Sequence, residues 1–93
     1  MTNDEKLIIL KQDLQQTGTT ANEPYLKHLM EYAGSAMNRI GIKEEETIEY
    51  GTLQVQYAAY LFRKRAAPET EMPKFLRRGL NNLKFSREAG NDV

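Results

Sequence analysis

The chain has no cysteine and a single histidine, His28, in 93 residues. Without cysteine it forms no disulfide and no thiolate metal site, and one imidazole cannot build a histidine-rich metal site. No apolar run approaches the ~18 residues that a membrane span requires, so no membrane contact is expected. The opening, Met1-Thr2-Asn3-Asp4-Glu5, is acidic and lacks the apolar core of a signal peptide. These absences, with a cysteine usage that fits a reducing compartment, predict a protein made and kept inside a cell. A single domain this short buries only about 60–65% of the surface its unfolded chain exposes. With disulfides and metals excluded, partner contacts are the expected source of added stability.

Net charge is absent too, since 13 Lys and Arg balance 13 Asp and Glu. The balance hides an asymmetry. Residues 1–50 hold five basic against nine acidic side chains, and residues 51–93 hold eight against four. A chain with one acidic and one basic half suits head-to-tail contact with copies of itself, or docking on a charged partner.

No segment alternates with period two, and the apolar residues recur at helical spacing. The expected fold class is all-α, with four helices over residues 3–14, 23–40, 47–66 and 73–87. The first is capped by Thr2 or Asn3, with Asp4 and Glu5 in its first turn. Leu7, Leu10 and Leu14 form its stripe, widened by Ile8 and Ile9, and Gly18 marks the break after it. Asn22 caps the second, and Pro24 fits its first turn. Its apolar face is Leu26, Leu29, Met30, Ala33, Ala36, Met37 and Ile40. Gly34 costs roughly 1 kcal/mol mid-helix, which suggests close approach of another helix, and Gly41 is a natural stop. The third helix, capped by Thr47, carries two stripes. One is Ile48, Thr52, Val55, Ala59 and Phe62; the other is Leu53, Tyr57, Tyr60 or Leu61, and Lys64. Two apolar faces place it at the centre of a bundle, or against a second subunit. The fourth opens at Pro73 and buries Phe75, Leu76, Leu80 and Leu83. The first and fourth helices are expected to be mobile or partner-facing, and residues 88–93 to form a mobile tail.

Catalytic chemistry has little to stand on. Glu44, Glu45, Glu46 and Glu49 are contiguous and do not converge as metal ligands must; they read as a solvated loop. His28 has no recognisable nucleophile or orienting partner and reads as a partly exposed structural residue. No enzyme activity, cofactor or metal is expected. Tyr57, Tyr60, Leu61, Phe62, Phe75, Leu76 and Leu80 read as packing or subunit-interface residues. The basic set Arg63, Lys64, Arg65, Lys74, Arg77, Arg78, Lys84 and Arg87 faces only Glu69 and Glu71 over residues 63–87, so attraction to an anionic protein or to DNA is expected.

Two strings carry a resemblance. Gly51-Thr-Leu-Gln-Val-Gln-Tyr-Ala-Ala-Tyr-Leu-Phe-Arg-Lys-Arg65 followed by Met72-Pro-Lys-Phe-Leu-Arg-Arg-Gly-Leu-Asn-Asn-Leu-Lys-Phe85 resembles the small head–tail connector (adaptor, or DNA-packaging) proteins of tailed phages and prophages. The likeness covers most of the chain, including Leu7–Leu14 and Asn22–Leu29, and is most specific as a pair of strings. It implies an all-α subunit of a homo-oligomeric ring in the virion neck, assembled in the bacterial host cytoplasm. The ring would dock on the portal protein of a DNA-filled head, meet a neighbouring head-completion or tail protein, and pass double-stranded DNA non-specifically through its channel. The resemblance brings no catalytic or cofactor residue. The alternative is a small helix-turn-helix-like DNA-binding regulator. Against it, Pro73-Lys74-Phe75-Leu76 offers only Lys74 to read base edges, and the connection over residues 66–71 exceeds the usual tight turn.

Overall fold

The computed structural model of the chain describes residues 1–18 and 20–91, with side chains described for 1–18 and 20–86. Within them the fold is all-α, as expected: α1 (Asn3–Asp13), α2 (Glu23–Arg39), α3 (Ile48–Ala66) and α4 (Lys74–Asn91).

Local chemistry sets most of the boundaries. Thr2, rather than Asn3, caps α1: its hydroxyl accepts from Glu5 N at 3.1 Å, and Thr2 N donates back to Glu5 Oε1 at 3.2 Å. Hydrogen bonding to its carboxyl, from the Thr2 backbone N–H first and the Thr2 side chain second, holds the Glu5 pKa below its ordinary value. The helix stops at Asp13, before Gly18, because Gln15 takes a left-handed φ of 59°. Gln16 N then reaches Lys11 O at 2.7 Å, which closes the last turn. Gly41 does the same for α2 with φ +100°. There Ile42 N bonds Met37 O at 2.9 Å, and Ile42 and Met37 are both fully buried. Ile42, just past the end of α2, therefore belongs to the core. Asn22 precedes α2 but makes no side-chain cap; its amide instead donates to Gln16 Oε1 at 2.8 Å and ties the loop together. Thr47 caps α3, accepting from Tyr50 N at 3.1 Å. Pro73 sits one residue before α4, and its carbonyl accepts the first bonds from Leu76 N and Arg77 N. The α4 backbone continues to Asn91, past the expected stop at 87. The rest of the expected tail, residues 92 and 93, lies outside the described residues.

α3 lies at the centre and packs on all three other helices. Its two stripes serve two cores. Val55, Ala58 and Ala59 join Leu10 of α1 and Leu26, Leu29, Met30 and Ala33 of α2. Leu53 and Tyr50 join Met37, Ile42 and the α4 stripe Leu76, Leu80 and Leu83, with Tyr57 and Tyr60 packed on this cluster. Each fully buried Leu contributes about 1.5–3 kcal/mol relative to exposure. Glycines set how closely the helices approach. A Cβ on Gly34 would stand 3.2 Å from Gln54 Nε2, and one on Gly79 would stand 2.6 Å from Leu53 Cδ2. The close approach expected at Gly34 is therefore real, and Gly79 provides a tighter one between α4 and α3.

The contacts also give direction. Met1 packs at Gly51 and Asp13 meets Arg63, so α1 runs with α3. Tyr25 lies near Phe62 while Gln54 bonds Met30, so α2 runs against it. Gly79 faces Leu53 and Lys84 reaches Gly41, so α4 also runs against α3.

Several expected core positions face water instead. Ile48 is 76% exposed, Phe75 62% and Ile8 57%. Ile9 and Ile40 are exposed as well, and so is Thr52. Ile48 stands on the first residue of α3, before its partner helices engage. Phe75 neighbours Leu76 in sequence, and a period of 3.6 turns one of two adjacent residues outward. Ile8 and Ile9 lose the same competition to Leu7 and Leu10. Two polar side chains take up buried positions: Lys6 is 3% exposed, its ammonium 5.5 Å from the centroid of the Tyr50 ring, and Gln54 is 6% exposed.

Candidate functional site

The helix directions sort the charges into two poles. At the α3 N-terminus the exposed Glu44, Glu46 and Glu49 stand with Asp4 and Glu5 of the parallel α1. At the α3 C-terminus stand Arg63, Lys64 and Arg65, whereas Arg77 and Arg78 of α4 adjoin Gly79, which packs at Leu53 in the first half of α3. The acids therefore favour the positive end of the α3 dipole and the cations its negative end. The structure does not keep the basic set together. Lys84 lies toward the acidic pole, where its Cε passes 3.6 Å from the Cβ position of Gly41. The Arg87 side chain lies outside the described residues.

Three members of the set are engaged inside the chain. Arg63 pairs with Asp13 Oδ2 at 2.9 Å and also donates to the Asp13 carbonyl at 3.3 Å, which latches the end of α1 to the end of α3. Lys64 donates to the Tyr60 hydroxyl at 3.1 Å. The Arg65 guanidinium lies 4.4 Å from the Phe62 ring centroid and 5.1 Å from that of Tyr25. By contrast Lys74, Arg77 and Arg78 are exposed and make no ion pair with a described residue. They are the cations most open to a partner.

Among the packing residues, Leu76 and Leu80 are buried. Tyr57, Tyr60, Leu61 and Phe62 are half-buried and pack against the two cores. Tyr57 meets Tyr60 edge-on at 6.2 Å. Burial first, and the neighbouring tyrosines second, push the Tyr57 hydroxyl above its ordinary pKa. Phe75 is mostly exposed and joins neither core.

Two concavities were not legible in the sequence. A cleft of about 740 Å³ between α2 and α3 has Tyr50 and Gln54 among its lining residues. Its edge carries both signs of charge, Lys27 and Arg39 against Glu31 and Glu44. A shallower groove of about 400 Å³ opens at the basic pole, where the first half of α2 meets the last turns of α3. Its floor is Tyr25, Leu29, Tyr32 and Leu61, and its rim is His28, Lys64 and Arg65. His28 is exposed, as expected, and belongs to this rim. The one sequence signal for the groove was the helical spacing of Tyr25, His28, Leu29 and Tyr32, which is also the spacing of an ordinary buried face.

No group of His, Asp and Glu side chains among the described residues is arranged to hold a metal ion. No helix of the described residues is long and apolar enough to cross a membrane. No family model, no curated protein and no solved structure matches the chain.

Proposed function

We propose that this protein is a structural virion component: a ring-forming adaptor that docks on the portal vertex of a phage head, joins it to the tail and extends the DNA channel. The observation that carries the reading is the paired string Tyr57-Ala-Ala-Tyr-Leu-Phe-Arg-Lys-Arg65 and Met72-Pro-Lys-Phe-Leu-Arg-Arg-Gly-Leu-Asn81, which resembles the connector family. The role is non-catalytic, and its partners are further copies of the chain, the portal, a neighbouring head-completion or tail protein, and the DNA that passes through. It places the protein in the virion neck, after assembly in the host cytoplasm.

The geometry supports this reading in two ways. Opposite charges at the two ends of one helix suit heterologous contact, which closes into a ring when the rotation allows. Arg77 and Arg78 are exposed without an ion pair to a described residue, as a docking surface requires. Against the regulator alternative, the opening of α4, Pro73-Lys74-Phe75-Leu76, offers only Lys74 to read base edges.

Mass photometry of the chain with purified portal is the test, and a multi-subunit complex is expected. Absence of association at every concentration and salt would remove the reading. Arg77→Glu and Arg78→Glu should each weaken docking on portal-bearing heads by about 2–5 kcal/mol, if their partner pairs are buried. Normal docking with altered DNA retention would move these residues to the channel wall. Tight, sequence-selective duplex binding by the isolated chain would promote the regulator.

A further inference from the structure

Ile48 is the most exposed large apolar side chain described, at 76%. It stands at the acidic pole, flanked in sequence by the exposed Glu44, Glu46 and Glu49. The opposite pole offers the reverse. The groove there has an apolar floor of Tyr25, Leu29, Tyr32 and Leu61, a rim of Lys64, Arg65 and His28, and no carboxylate among its described lining residues. We infer that these surfaces are the two halves of one contact between copies of this chain. Ile48 of one copy seats in the groove of the next, and its flanking glutamates face Lys64 and Arg65. The inference rests on the ring reading above and names the surfaces such a ring would use.

The occupant follows from shape and charge together. An apolar anchor seated in a pocket and ringed by polar pairs is the arrangement that concentrates binding energy at interfaces. Opposite poles attract, and a like-pole encounter sets glutamates against glutamates, so the charges also fix the head-to-tail sense. One copy cannot satisfy itself. Ile48 and Leu61 lie on the same helix, roughly 20 Å apart at 1.5 Å per residue. The rim is also set in advance. The Arg65 guanidinium already lies over the Phe62 and Tyr25 rings, and Lys64 is held by the Tyr60 hydroxyl. Less side-chain freedom is then lost when a carboxylate arrives.

The absence of cysteine allows a direct test. Ile48→Cys and Tyr32→Cys are introduced together in one chain; both positions are exposed, and a bridge within one copy adds no rung to a ladder of multimers. The protein is oxidised alone and with purified portal. A ladder of disulfide-linked multimers is expected, and none from the control pair Ile9→Cys with Tyr32→Cys. Ile48→Asp, in an otherwise cysteine-free chain, should weaken self-association about tenfold or more. It should leave the melting temperature intact, because Asp is favoured at a helix N-terminus. A ladder without portal binding keeps this contact and removes the connector reading. Portal binding without a ladder, or with an equal ladder from the control pair, does the reverse. Neither ladder nor portal binding overturns both.

Discussion

Gln54 and Met30 join α3 to α2 through one buried hydrogen bond. The Gln54 side-chain amide donates to the Met30 carbonyl at 2.8 Å. That carbonyl can only accept, so the bond fixes which way the Gln54 amide points. Its Oε1 is left buried, with no partner among the described residues. A lost hydrogen bond costs about 0.5–1.5 kcal/mol, while an unsatisfied buried acceptor costs about 1–3. Gln54→Met removes both and should change stability by no more than about 1 kcal/mol in urea melts. Gln54→Glu puts a carboxylate where burial raises its pKa. The neutral acid is then the form the fold tolerates, so the deficit should be full at pH 7 and shrink as pH falls toward the unfolded value near 4.3. A pH-independent deficit would show that this position reaches water.

Gly79 of α4 lies directly against Leu53 of α3. Because a Cβ would stand 2.6 Å from Leu53 Cδ2, Gly79→Ala should destabilise by about 1–3 kcal/mol through overpacking. In a Leu53→Ala background the obstruction is gone. The same change should then stabilise by up to about 1 kcal/mol, the ordinary helical preference of Ala over Gly. Additive effects in the double-mutant cycle would show that the helices do not meet there.

Tyr50 should give the protein an alkaline limit. Burial, and secondarily the Glu44 charge, push its hydroxyl above the ordinary value near 10.0. A pKa raised by folding means that stability is whole below the unfolded pKa and falls as pH rises through the folded one. Denaturant midpoints should therefore decline above about pH 10, and Tyr50→Phe should make that decline shallower. An identical alkaline slope in the variant would assign the loss to other groups.

Phe62 and Phe75 should separate cleanly in thermal melts. Phe62 is half-buried against Tyr25 and the α1–α2–α3 core, so Phe62→Ala should cost roughly 1–3 kcal/mol, less than a fully buried Phe. Phe75 is 62% exposed, and Phe75→Ala should stay within about 0.5 kcal/mol. Equal losses would mean that both rings share one core.

What the amino-acid sequence determined by itself was local. Thr2, Thr47 and Gly41 act on the backbone within a few residues of themselves, and each begins or ends a helix as its chemistry dictates. The two stripes of α3 were legible because helical period is a property of one segment, and they placed that helix at the centre. The opposed charges of the two halves were equally plain. Tertiary structure alone decided which of these residues found a partner. Ile48 and Phe75 have the composition and spacing of core residues, yet the packing leaves most of each side chain in water. Gln54 is polar yet buried, because the absence of a side chain at Gly34 lets α2 close over it. Arg63 and Arg77 look alike in sequence, but only the direction of α1 brings Asp13 to Arg63 and leaves Arg77 open. The groove at the basic pole exists only because α2 runs against α3, which sets Tyr25 and Leu29 beside Leu61. A helix specifies its own faces through its period, but what covers each face depends on residues distant in the chain, and that is fixed only when the whole chain packs.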